Sequence, residues 1–190
     1  MRVTSTILVI YSAFLLTSCA NLQHEETVDT TNQAISLPKT PWRQDPLLAK
    51  HNVTIQFQDR VIQLQSILNL QPGSLKMVMV DFTGTRAVEI DWTEQSLKAS
   101  KAPQIPDTIT AEQILNRIVF AFWPEDIVQQ NIRDPYIFSA SSEKRSIKTK
   151  DSLISTAKYL NQDKWNGQTI IEQYNPYLKI SVSSSTHGKD

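Results

Sequence analysis

The chain has one cysteine, Cys19, so no disulfide can form within it. Histidine is nearly as scarce. Of three, His24 and His187 fall near the two ends, which leaves His51 alone near the start of the patterned region. Glycine occurs four times in 190 residues, and no phosphate-cradling glycine loop, GxSxG or HExxH is present. Metal centres and nucleophilic triads ordinarily need positioned imidazole or thiol. The sequence therefore reads as no enzyme, with no metal and no cofactor. An excess of one charge is also missing, with 19 basic residues against 19 acidic ones. A chain this neutral lacks the electrostatic footprint for nucleic acid. Beyond the N-terminus there is no uncharged apolar run long enough to cross a bilayer.

What is present begins at the N-terminus. Arg2 supplies a short positive region, and residues 7–16 form an apolar stretch about half the length of a spanning helix. Leu16-Thr17-Ser18-Cys19 follows and resembles the bacterial lipobox. A thioether to diacylglycerol needs a thiol at the membrane surface, and the signal peptidase needs small residues just before it. Residues 1–18 are read as a lipoprotein signal peptide, and Cys19 as the lipid-bearing first residue of the mature chain. The freed amine then takes an acyl chain such as palmitate. Two or more chains make a stable anchor where one does not. Ala20 is not the aspartate that retains enterobacterial lipoproteins in the inner membrane, which favours the periplasmic face of the outer membrane. Residues 19–41 form a lipidated tether, polar and without apolar period, ending in a two-proline entry before Trp42.

Residues 42–184 read as one β-rich domain, followed by a frayed tail, 185–190. Val53, Ile55 and Phe57 alternate with polar residues in the pattern of a half-buried strand. Asp59-Arg60 turns into a second strand through Ile62, Leu64, Leu68 and Leu70, irregular near Ser66-Ile67. Gln71-Pro72-Gly73-Ser74 suits a type II turn. A third strand covers residues 75–82 and a fourth 86–92, with Val88, Ile90 and Trp92 on one face. Thr110-Ala111-Glu112-Gln113 is a capping box that opens a very apolar helix, and Pro124 stops it. After a short helical turn the pattern returns to strands, with an Asn166-Gly167 hairpin signal between the last long ones. The fold class is α+β, mostly antiparallel β: a half-open curved sheet or partial β-barrel with a helical lid.

Charged groups give little chemistry. Glu89 and Asp91 lie on the strand face opposite Val88, Ile90 and Trp92, as on a solvated outer face. Glu125-Asp126 suit the first turn of a helix. Residues 143–150 form a basic run that reads as a guard against sheet-edge pairing, or as a contact for anionic lipid.

Three blocks carry a family resemblance. They are the strand-turn-strand from Arg60-Val61-Ile62-Gln63-Leu64-Gln65 through Pro72-Gly73 to Val80, the helix end Phe120-Ala121-Phe122-Trp123-Pro124, and Trp165-Asn166-Gly167 followed by Tyr177-Leu178-Lys179-Ile180. Over residues 55–182 the chain resembles a family of small Gram-negative outer-membrane lipoproteins. Genes of that family often lie in aryl polyene or related fatty-acid-synthase-like clusters. Phe122 stands where the family usually has leucine. The resemblance implies a fold similar to the lipoprotein carrier LolA and receptor LolB. It also implies an apolar cavity under the helix, for which Met77, Met79, Phe82, Trp92, Ile118, Phe122 and Trp123 are the candidate lining residues. The expected function is to bind or transfer an acyl chain or other amphiphile, in export of a polyene-lipid product. The alternatives are an envelope scaffold with a packed core, which docks other envelope proteins, and a lipid-modifying enzyme.

Overall fold

The computed structural model describes residues 34–42, 44–103, 105 and 109–186. The expected signal peptide, Cys19, the tether up to residue 33 and the last four residues of the tail lie outside them. Within them the order is β1 Leu47–Phe57, β2 Arg60–Gln71, β3 Ser74–Val80, β4 Arg86–Thr93, β5 Leu97–Lys101, α1 Ala111–Phe122, α2 Glu125–Gln130, β6 Ile137–Ala140, β7 Lys144–Lys148, β8 Leu153–Tyr159, β9 Gln168–Tyr174 and β10 Tyr177–Thr186. The strands form one ten-stranded sheet in the order β5-β4-β3-β2-β1-β10-β9-β8-β7-β6. Every neighbouring pair is antiparallel.

Period-2 alternation decides which face is buried. In β1, Ala49, His51, Val53, Ile55 and Phe57 turn inward, and in β2 Leu64, Ser66, Leu68 and Leu70 do. Pairing reinforces the choice: Val53 lies opposite Leu64 and Val182, and Ile55 opposite Ile62 and Ile180. A one-residue slip would turn all of these to solvent, so the pattern fixes the register.

The sheet must curl. α1 touches β4 and β5 on one side and β9 on the other. Five strand spacings separate β4 from β9 in the sheet order, about 24 Å if flat, whereas a helix is about 10 Å across. The sheet therefore wraps α1 on its inner face. The core is the inward residues of the strands together with the apolar side of the helix.

Several expectations need correction. β1 starts at Leu47, six residues before Val53, because its inward positions there are Ala49 and His51 rather than large apolar residues. The β1–β2 turn is Gln58-Asp59, with Gln58 at φ 53. β2 is continuous: Ser66 takes the inward place and Ile67 is 52 % exposed. β3 ends at Val80, so Phe82 belongs to the following turn. β10 runs on into the tail expected to fray, because Ser185 pairs with Lys50 of β1 and Thr186 with Ala49. Gly167 sits at the end of a longer loop, 160–167, and lacks the positive φ of a tight Asn-Gly turn. A Cβ there would fall 2.6 Å from Cβ of Asn161, so close approach explains this glycine. Residues 34–36, assigned to the tether, pack on the domain: Ile35 is buried and bridges Ile132, and the Ser36 amide donates to the Asn131 carbonyl at 2.9 Å.

Candidate functional site

The helix begins as its sequence dictates. The Gln113 amide donates to Thr110 Oγ1 at 3.1 Å, and the Thr110 amide donates to Gln113 Oε1 at 3.4 Å. Ile109 and Ile114 are both buried beside this box.

α1 presents two stripes. Ile114, Leu115, Val119 and Phe122 are buried against the inward side chains of the sheet. Gln113, Asn116, Arg117 and Phe120 follow the i, i+3, i+4, i+7 spacing of a second stripe, and all four line a cavity of about 470 Å³. The opposite wall comprises Ile147 of β7, Ile154 and Ser155 of β8, and Gln173 of β9, and Asn175, Pro176, Tyr136, Ala34 and Ile35 complete the lining. The volume lies within the range of about 300–1,000 Å³ usual for small-molecule sites. Its walls combine apolar surface from Phe120, Ile147 and Ile154 with a few polar groups.

Arg117 is the unusual member of this lining. Its Nη2 donates to Gln173 Oε1 at 2.6 Å, and Gln173 Nε2 donates in turn to the Asn175 carbonyl at 3.2 Å. Its Nε and Nη1 are shut off from solvent and have no hydrogen-bond partner, although the residue as a whole keeps a fringe of exposure. Burial pulls the guanidinium down to about 10, and among the described residues no acid offsets it. It is still charged at neutral pH, and a buried charge left without a counter-ion is costly.

The far end of α1 is pinned by side chains from the sheet. Arg145 of β7 is 1 % exposed, and its Nη1 donates to the carbonyls of Phe120 (2.9 Å), Ala121 (3.3 Å) and Trp123 (2.7 Å). Tyr159 Oη donates to the Ala121 carbonyl at 2.5 Å. Burial pushes the Tyr159 hydroxyl up to about 12, so it stays a donor. The last carbonyls of a helix lack partners within it and carry the negative end of its dipole. The last turn has no basic residue of its own, and Arg145 supplies the charge from across the fold. The expected exposed basic run is corrected here, because Arg145 points inward while Lys144 and Lys148 are exposed. Glu89 and Asp91 do lie on the outer face, paired with Arg86 at 3.0 Å and Lys76 at 3.4 Å.

The residues proposed from sequence fall elsewhere. Met77, Met79, Trp92, Phe122 and Trp123 are all buried in the packed core, and Ile118 is half-buried against it. Phe122 and Trp123 join Trp42, His51 and Trp165 in a ring cluster, with Trp42 and Trp123 5.0 Å apart and Phe122 and Trp165 4.7 Å apart. Trp123 Nε1 donates to the Pro41 carbonyl at 2.6 Å. Phe82 is 93 % exposed in the β3–β4 turn. None of the seven lines the 470 Å³ cavity. The most apolar stripe of the helix is the one consumed by packing. The signal that could have found the cavity was the polar stripe Gln113-Asn116-Arg117 on an otherwise apolar helix. A second depression of about 510 Å³, lined by Trp42, Gln44, Asp45, Pro46, Leu47 and Trp165, is shallow and open at the surface.

Among the described residues no helix is long and apolar enough to cross a membrane, and no cluster of three or more acidic, histidine or cysteine side chains could hold a metal ion. No curated protein matches the chain in sequence. Among solved structures it is similar to a LolA superfamily protein, NE2245, from Nitrosomonas europaea, at 10 % identity and a TM-score of 0.43, over 81 % of this chain and 92 % of that one. A family model described as "Protein of unknown function (DUF3261)" matches residues 48–186, from the second residue of β1 to the last of β10. The chain belongs to the DUF3261 family.

Proposed function

We propose that this chain is a lipid-anchored protein of the outer membrane, facing the periplasm, that holds an acyl chain or other amphiphile in the cleft between α1 and strands β7–β9. The observation that carries this reading is the cavity itself. It lies between a helix and a curved sheet, has apolar walls from Phe120, Ile147 and Ile154, and has polar groups at Arg117, Ser155 and Gln173. An amphiphile needs such a divided surface. Burying a methylene contributes about 0.8 kcal/mol, so a chain of roughly a dozen carbons binds usefully after the entropy of association is subtracted. The lipobox Leu16-Thr17-Ser18-Cys19 supports the anchor. Holding a lipid-like product for export, such as a polyene-lipid conjugate, requires no covalent step of the protein.

One observation favours a second reading. The apolar stripe of α1 is fully packed, with Leu115 and Val119 each 0 % exposed. An envelope scaffold would need no more than that. Gentle purification from membranes followed by native mass spectrometry separates the two. We expect an amphiphile in near-stoichiometric amount, lost when Ile154→Arg fills the cleft. Purified protein that carries none, and takes none up, would leave the scaffold. Intact-mass measurement of the mature chain tests the anchor: it should begin at Cys19 and carry diacylglycerol plus an acyl chain.

A further inference from the structure

We infer that the cleft selects an amphiphile with an anionic head group, a carboxylate or a phosphate monoester, and that Arg117 is the residue that binds the head. The inference rests on the amphiphile reading above and names its ligand class.

Two independent observations meet at this position. One is the half-apolar cavity, which has the volume of a small-molecule site. The other is a guanidinium on its wall with two nitrogens, Nε and Nη1, that are out of solvent and have no acceptor. Buried donors are nearly always paired, and a cation more so. Position 117 lies on the stripe of α1 that lines the cleft, and not on the stripe packed against the sheet, so the helix needs no charge there for its own packing. The charge is also held in place. Gln173 accepts from Nη2, and its own orientation is fixed by the bond from its Nε2 to the Asn175 carbonyl. Gln173 thus fixes one edge of the guanidinium, and Nε and Nη1 have no acceptor before any ligand arrives.

The remaining lining sets the sign of the ligand. Ser155, Asn116, Gln113 and Gln173 are neutral, and among the described residues no acidic side chain lines the cavity. A cationic head would meet Arg117 with nothing to balance it, and a neutral alcohol could accept from the free donors but would leave the charge without a counter-ion. An oxyanion neutralises the guanidinium and accepts from it in charge-assisted bonds, which are about twice as strong as neutral ones. The tail then lies along Phe120, Ile147 and Ile154.

The test uses the full lipidated chain in phosphatidylcholine nanodiscs, with empty discs as the blank. Displacement of the neutral fluorophore N-phenyl-1-naphthylamine is titrated with four amphiphiles of equal chain length: laurate, dodecyl phosphate, dodecanol and dodecyltrimethylammonium. Laurate or dodecyl phosphate should displace the probe at least tenfold more tightly than dodecanol, and the ammonium should be weakest. The stronger of the two anions identifies the head group as carboxylate or phosphate. In Arg117→Gln the tenfold preference should vanish while dodecanol binding persists, and Arg117→Lys should keep part of it. Equal binding of all four by the unaltered chain overturns the anionic selection and leaves the amphiphile reading standing. Failure of all four to displace the probe overturns both. Since the four-ligand comparison is made on the unaltered chain, it does not depend on how the variants fold.

Discussion

Arg145 does at residue scale what the last turn of α1 cannot do for itself. Three carbonyls of the helix end converge on one guanidinium nitrogen. Arg145→Met keeps the bulk and removes the donors. Each buried acceptor left unpaired costs about 1–3 kcal/mol, so a loss of about 3 kcal/mol in total is expected, read as a lower urea midpoint. His51 gives a pH dependence. Burial lowers its imidazole to about 4 from an ordinary 6.5, so the folded state keeps it neutral beside Ser184, 2.8 Å away, while the unfolded chain takes up a proton first. The stability it contributes is whole above pH 6.5 and falls as the pH drops toward 4, by about 3 kcal/mol. Urea melts at pH 7 and pH 4 should show that loss, and it should shrink in His51→Gln. Gly167→Ala should also destabilise, since its Cβ would overlap Asn161 and the shift would disturb the bond from the Gln168 amide to Asn161 Oδ1.

At the scale of elements, α1 is the part most firmly written in the sequence. Its capping box, the apolar Ile109 and Ile114 beside it and its proline stop all act within a few residues, so they can be read without knowing the fold. The strands were legible for the same reason wherever inward positions are large and apolar, as at Val53, Ile55 and Phe57. They were illegible where a neighbour supplies the order. Ser183–Ser185 form strand because β1 lies beside them, and Ala49 and His51 turn inward because β2 and β10 flank them. The candidate site was not legible, since a cleft is a difference between two surfaces brought together from distant parts of the chain. Arg145 shows this most plainly: it belongs to a basic run, and only the fold turns it inward. Tyr159→Phe tests the pinning of the helix end from the other side. Losing one buried hydrogen bond should cost about 1 kcal/mol, with faster amide exchange confined to the last turn of α1.

On the scale of the whole molecule, the pairing of β1 with β10 joins the two ends of the domain at the middle of the sheet. Neither half has an independent core, because the inward residues of both pack on one helix. Unfolding should therefore be a single transition, with coincident curves from far-UV circular dichroism and from tryptophan fluorescence, whose reporters Trp42, Trp92, Trp123 and Trp165 are spread over both halves. A chain ending at residue 176 should not fold, which one-dimensional proton NMR dispersion would show.

The sheet also keeps two free margins. β5 and β6 stand at opposite ends of the strand order, joined through α1 and α2 rather than by a ladder. A closed barrel has its girth dictated by strand number and stagger. Among the described residues no ladder joins these margins, so the backbone bonding dictates no girth, and the distance of the β6–β9 wall from the helix is held by the side-chain bonds of Arg145, Tyr159 and Gln173. In the amphiphile reading, the width of the seat is then set by side chains alone.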